Sequence, residues 1–214
     1  MRMDLAKYID HTILKPDATL TDIRHLCSEA AQYHFAAVCV NPCYVDLAVS
    51  LLEGTGVKVA TVIGFPLGAS LSSVKAFEAQ QAVVGGADEL DMVINIGLVK
   101  QGLWEAVLDD IQAVVAAVED KCVKVIVETG LLTEDEKEKV CQIVLDSGAD
   151  YIKTSTGFVS GGATIEDVEL FKSIVGDEIG IKASGGIRTL EDAKAMIAAG
   201  ATRLGTSAGV RIIS

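Results

Sequence analysis

Ala149-Asp150-Tyr151-Ile152-Lys153-Thr154-Ser155-Thr156-Gly157 sets a lysine inside what otherwise reads as a buried strand. Gly148 closes the helical pattern before it, and small hydroxyl residues with a glycine follow, so the reading is strand and then turn. Runs of the same kind recur at Tyr8 to Ile13, Ala36 to Val40, Val57 to Ile63, Glu89 to Asn95, Val123 to Glu128, Gly180 to Ser184 and Thr202 to Thr206. Helical patterns lie between them. The clearest is Leu103, Val107, Ile111, Val114 and Val118, whose spacing lays one apolar stripe along a helix. Thr19 with Asp22, Thr133 with Glu136, Thr164 with Asp167 and Thr189 with Asp192 are capping pairs at four helix starts. Glycines at 54, 86, 148, 176 and 200 close helical stretches.

Strands of buried type alternating with helices over short connections predict an α/β fold, a single-domain TIM (β/α)8 barrel over residues 1–214. A short N-terminal leader precedes the first strand. Only Ala208 to Ser214 follow the eighth, which leaves room for a truncated last helix. A doubly wound open sheet fits less well, because the units divide the chain evenly and no Gly-x-Gly-x-x-Gly follows the first strand.

The 214 residues are half hydrophobic and carry a net charge of −12. That charge argues against sequence-independent nucleic-acid binding, and an anionic substrate would need a compact cationic site. Five scattered cysteines, odd in number, fit reduced thiols in a cytoplasmic protein. The three histidines form no ligand cluster with Cys39 and Cys43, so no metal site is expected. No segment offers about 18 uninterrupted apolar residues, and neither export nor membrane insertion is expected.

In a β/α barrel, chemistry gathers at the carboxyl ends of the strands. A buried lysine tends to lose its charge, and a neutral amine is a nucleophile. Lowering Lys153 from a pKa of ~10.4 to ~7 costs ~4 to 5 kcal/mol. A second cation ~5 Å away at an effective dielectric of ~20 would supply ~3 kcal/mol, and Lys182, in the strand Gly180 to Ser184, is the candidate. Asp91 shares a strand face with Val93 and Asn95, so either that face or the one bearing Leu90 and Met92 lies inside the barrel. If Asp91 is inside, Lys182 or Lys153 is its natural partner, as a salt bridge or a proton shuttle. Ser184-Gly185-Gly186-Ile187-Arg188 and Gly205-Thr206-Ser207 follow the seventh and eighth strands, the usual phosphate position in such barrels. Cys39 reads as a small core residue.

Asp10-His11-Thr12, Glu89 to Asn95, Tyr151 to Gly157 and Ile181 to Arg188, in this order, resemble the deoxyribose-phosphate aldolases, Schiff-base-forming enzymes of the β/α-barrel class. The resemblance covers nearly the whole chain. It implies reversible cleavage of 2-deoxy-D-ribose 5-phosphate to D-glyceraldehyde 3-phosphate and acetaldehyde in deoxyribonucleoside breakdown, without metal or organic cofactor. It implies that Lys153 attacks the carbonyl, that Lys182 stays charged, and that Asp91 moves protons with Lys182. Gly185, Gly186, Arg188 and Ser207 match the family's phosphate loops, in which Ser184 and Gly205 also lie; Asp10, Thr12, Thr156 and Gly157 belong with its substrate region. Homodimers are common in the family.

Two departures accompany the likeness. Some members carry a longer tail ending in a tyrosine ascribed to proton transfer, which this sequence lacks, and Phe158 stands where some have a phosphate-contacting lysine. The second substitution is expected to weaken phosphate binding. A sugar-phosphate sensor without turnover, or a transaldolase-like lysine aldolase, would share many of these features.

Overall fold

The computed structural model describes residues 4–214. The first three residues of the expected leader lie outside the described part, and its remainder is a 3-10 turn, Leu5–Tyr8. Eight parallel strands then close into a barrel in sequence order: β1 Ile9–Ile13, β2 Ala37–Val40, β3 Lys58–Ile63, β4 Glu89–Val93, β5 Cys122–Ile126, β6 Tyr151–Lys153, β7 Gly180–Ser184 and β8 Arg203–Thr206. Closure pairs Asp10 of β1 with Gly205 of β8. The helices around it are α1 Leu20–Tyr33, α2 Val45–Leu52, α3 Ser72–Val84, α4 Ile96–Lys100, α5 Trp104–Val118, α6 Glu134–Asp146, α7 Ile165–Val175, α8 Leu190–Ala199 and α9 Gly209–Ile213. The TIM-barrel architecture is thus the one expected, down to a last helix of only 5 residues.

The helix starts follow from local chemistry. Thr19, Thr133 and Thr189 each accept a hydrogen bond from the third residue of the helix, whose acidic side chain answers at the cap's own N–H. Thr164 accepts from the Asp167 N–H in the same way, but the Asp167 carboxylate turns instead to Lys137 of α6, 2.6 Å away. A tertiary ion pair has displaced half of a local motif. Along α5, Val107, Ile111, Val114 and Val118 are buried as the stripe requires, each worth roughly 1.5–3 kcal/mol of apolar burial. Leu103 is not part of that face; it caps the helix and is 47% exposed. Asn95 likewise leaves the strand on which the sequence places it, because β4 ends at Val93 and the Asn95 side chain caps α4 by accepting from the Leu98 N–H.

Strand alternation sorts the residues into two shells. Leu90 and Met92 of β4 join the apolar layer packed beneath the helices, so Asp91 is the residue that faces inward. The interior is itself divided. Ala37 and Cys39 of β2 with Ala60 and Val62 of β3 form a small apolar cluster, while β4 to β8 and the start of β1 fill the rest with charge.

Candidate active site

Lys153 and Lys182 are paired residues of adjacent parallel strands, so the same register that closes the barrel turns both side chains inward. Both amines reach one oxygen. Lys153 Nζ donates to Asp91 Oδ2 at 2.8 Å and Lys182 Nζ to the same atom at 2.6 Å. Sharing that acceptor keeps the amines within roughly 5 Å of each other. The other carboxylate oxygen, Asp91 Oδ1, accepts from Lys124 Nζ at 2.7 Å, and Lys124 also meets Glu89 at 2.7 Å. Lys182 further donates to Asp10, whose second oxygen accepts from Arg203 at 2.7 Å. Arg203 meets Glu89 at 3.1 Å and lies over the Tyr151 ring, 5.7 Å from its centroid.

Three carboxylates (Asp10, Glu89, Asp91) therefore face four cations (Lys124, Lys153, Lys182, Arg203) inside the barrel. Lys58 touches Glu89 only from the exposed rim. With three of the cations balancing the acids, the fourth charge is in surplus, and burying a surplus charge is costly. The cost falls on Lys153. Burial pushes its pKa below the ordinary lysine value and the Lys182 charge pushes the same way, while Asp91 opposes both. The larger cause is burial, whereas the sequence alone made the neighbouring cation the main lever. Lys182 goes the other way: burial would lower it, but Asp10 and Asp91 overcome that and raise it. Burial would raise the Asp91 carboxyl, yet Lys124, Lys153 and Lys182 together hold it well below the usual range. One amine is thus inclined to be neutral beside one that stays charged.

Lys153 opens into a cavity of about 270 Å³ at the carboxyl ends of the strands. Thr12, Thr156, Gly157, Ser184, Gly185, Gly186, Arg188, Gly205 and Ser207 all line it. Asp10 does not; its carboxylate sits below, in the charged network, where it holds Lys182 and Arg203. Thr12 Oγ1 donates to the Asp10 carbonyl at 2.8 Å, and Ser184 Oγ to the Ser155 carbonyl at 2.6 Å. The two glycine-rich turns meet at this mouth, with Arg188 anchored through its N–H on Asp192 at 2.9 Å and its carbonyl on Arg211 at 2.9 Å. Gly205 is needed for close approach. A Cβ there would lie 2.9 Å from the Ser184 Cβ and 3.2 Å from the Lys182 Cε. Phe158 lines the same cavity and meets Phe65 edge to face at 5.2 Å.

Lys124, Glu89 and Arg203 were not singled out from sequence. Lys124, in Cys122-Val123-Lys124-Val125-Ile126, carries the signal that marks Lys153 and Lys182, a lysine between apolar or small neighbours in a run of strand length. Burial would lower it, but Asp91, Asp10 and Glu89 raise it well above the ordinary value, so it serves as a fixed charge. Cys39 packs in the apolar interior cluster, and burial pushes its thiol up to about 11. Among the described residues no group of three or more His, Cys, Asp or Glu is disposed to hold a metal ion. A lysine whose amine is biased toward the neutral form, a neighbouring cation and a carboxylate shared between the two are parts from which attack on a carbonyl can be built.

The model of the DeoC/LacD family aldolases matches residues 5–214. A deoxyribose-phosphate aldolase from Staphylococcus carnosus is 61% identical over 211 residues, 99% of this chain and 96% of the relative. One from a Thermoanaerobacter species is 58% identical over 214 residues, again 99% and 96%. Among solved structures, the tetrameric deoxyribose phosphate aldolase from Aeropyrum pernix superposes with a TM-score of 0.91 at 38% identity, covering 98% of this chain and 89% of that one. Matched along its described length in both sequence and barrel, the chain belongs to the DeoC/LacD aldolases and, within them, to the deoxyribose-phosphate aldolase family.

Proposed function

We propose that the protein reversibly cleaves 2-deoxy-D-ribose 5-phosphate to D-glyceraldehyde 3-phosphate and acetaldehyde through a Schiff base on Lys153, in the breakdown of deoxyribonucleosides. The observation that carries this reading is the single Asp91 oxygen shared by Lys153 and Lys182 at the foot of a cavity rimmed by two glycine-rich turns. The relatives named for this activity support the substrate.

The lone pair of Lys153 Nζ adds to the aldehyde carbon, and the carbinolamine loses water to give an iminium. Asp91, with Lys182 and a water, moves the protons that this step needs. The hydroxyl at the third carbon then gives up its proton through the same water, the electron pair left on its oxygen forms the C=O of the new aldehyde, and the pair of the bond between the second and third carbons moves into the iminium to give an enamine. Glyceraldehyde 3-phosphate leaves. The enamine that stays on Lys153 is protonated at carbon and hydrolysed to acetaldehyde and free lysine. Lys182, held charged, keeps Asp91 ionised and disfavours a second ammonium at Lys153. Gly185, Gly186 and Ser207 offer their amides, and Arg188 its charge, to the phosphate.

With three of its cysteines buried and none in a disulfide among the described residues, the chain suits a reducing cytoplasm. It would act as a homodimer, a reading supported by the exposed apolar row of Leu67, Leu71, Val74, Phe77 and Val84 in and before α3. The test of the chemistry is acetaldehyde with borohydride: the native protein gains mass at Lys153, and Lys153→Ala does not. A coupled assay for glyceraldehyde 3-phosphate accompanies it. Phosphate-ester binding with neither labelling nor turnover would make the protein a sensor instead.

A further inference from the structure

Glu128 is a buried carboxylate outside the charged network, and among the described residues no lysine, arginine or histidine pairs with it. Its backbone is left-handed, φ 56° and ψ 65°, a conformation that costs a residue with a side chain and persists only where the surroundings enforce it. All the hydrogen bonds of its side-chain carboxylate come from one residue. The Thr156 N–H donates to Oε1 and Oε2 at 3.3 and 3.2 Å, and the Thr156 hydroxyl donates to Oε2. Thr156 Oγ1 in turn accepts from the Phe158 N–H at 3.1 Å.

A threonine hydroxyl has one proton and two lone pairs. Here the proton is committed to Glu128 and one lone pair to Phe158, so what Thr156 can offer to the cavity it lines is an acceptor. We propose that Glu128 is a positioning residue that fixes Thr156 as a hydrogen-bond acceptor for a hydroxyl on the substrate's carbon chain, between the carbonyl at Lys153 and the phosphate at the glycine-rich turns. This inference rests on the aldolase reading above. Thr156 lies three residues after Lys153 and shares its cavity with Gly185, Gly186 and Ser207, which suits that middle position. Other contacts pin the rest of the loop. The Ala163 N–H donates to the Gly185 carbonyl at 3.0 Å, and Gly130 packs so closely on the Ser160 carbonyl that a Cβ would lie 2.7 Å from it. Loss of the carboxylate charge therefore acts on the orientation of one hydroxyl rather than on the course of the chain.

Glu128→Gln puts an amide N–H against Thr156 Oγ1 and turns the hydroxyl proton toward the cavity. The expected result is a KM for 2-deoxyribose 5-phosphate raised about tenfold, the value of one hydrogen bond, with a smaller change in kcat. Borohydride labelling of Lys153 by acetaldehyde, which has no hydroxyl, should stay within about twofold of the native rate. Thr156→Val should raise KM by as much, the double variant should be no worse than either single one, and Thr156→Ser should restore the native value. Acetaldehyde labelling that falls in step with turnover in Glu128→Gln, or losses that add in the double variant, would overturn the proposal. If Glu128→Gln does not fold, the contrast between Thr156→Val and Thr156→Ser decides it, equal KM values being the overturning result. A native protein that acetaldehyde fails to label would instead remove the aldolase reading itself, so the two failures are told apart.

Discussion

Replacing Lys182 by methionine removes the cation that shares Asp91 Oδ2 with Lys153 and leaves the side-chain volume nearly unchanged. With the two amines roughly 5 Å apart and an effective dielectric of about 20, the lost repulsion is about 3 kcal/mol, or about two pKa units on Lys153. Burial, the larger cause of the lowered value, stays in place, and so does the opposing pull of Asp91. The neutral fraction of Lys153 at pH 7 should therefore drop about a hundredfold. The assay is the initial rate of borohydride-dependent labelling of Lys153 by acetaldehyde, followed from about pH 6 to about pH 10. In Lys182→Met the rise with pH should move up by about two units, and the two proteins should converge at the alkaline end. A variant profile that overlies the native one would refute the idea that Lys182 tunes Lys153. Because Asp10 and Asp91 each lose a partner, the variant should also be less stable by about 3–5 kcal/mol, and rates are compared well below its melting temperature.

Lys153→Met should be inactive yet more stable. A base whose folded pKa is lowered binds fewer protons folded than unfolded, so it costs stability at every pH below the unfolded value of about 10.4. Removing it should gain about 1–3 kcal/mol and raise Tm by roughly 2–10 °C; a lower Tm would mean that Lys153 is charged and paired. Asp10, Glu89 and Asp91 have lowered folded values, so their contribution is complete above the unfolded carboxylate range and is lost progressively as pH falls from that range toward the lowered folded values. The denaturation midpoint should accordingly fall below about pH 4, and a flat midpoint down to about pH 2.5 would contradict the network's role. Gly205→Ala places a methyl against Ser184 and Lys182 and should cost about 1–3 kcal/mol together with much of kcat/KM. Native activity in that variant would show that the Lys182 position is less constrained than the packing implies. The row on α3 predicts a dimer by light scattering, which Val74→Lys with Phe77→Lys should dissociate; a native monomer would exclude it.

Periodicity and punctuation were enough to define the barrel from sequence. Apolar runs such as Val57 to Ile63, closed by glycine and separated by threonine-capped helices, encode local conformation, which neighbours in the chain largely decide. Lysines embedded in two of those runs, and glycines after the seventh and eighth, were visible for the same reason, because a residue out of character with its run stands out without any knowledge of the fold. Lys124 carried the same mark as Lys153 and Lys182, but in sequence all three look alike.

What told them apart was closure. Only the barrel brings Asp10 of β1 and Glu89 and Asp91 of β4 onto one set of amines; the three acids balance three of the four cations, and the surplus charge falls on Lys153, which has only a share of Asp91. The direction in which Asp91 faces, the place of Asp10 beneath the cavity rather than in its wall, and the single partner of the Glu128 carboxylate were decided in the same way. The pKa of a buried group depends on the charges within a few ångströms and on the water excluded around it, and strand order in space, not residue order in the chain, sets both.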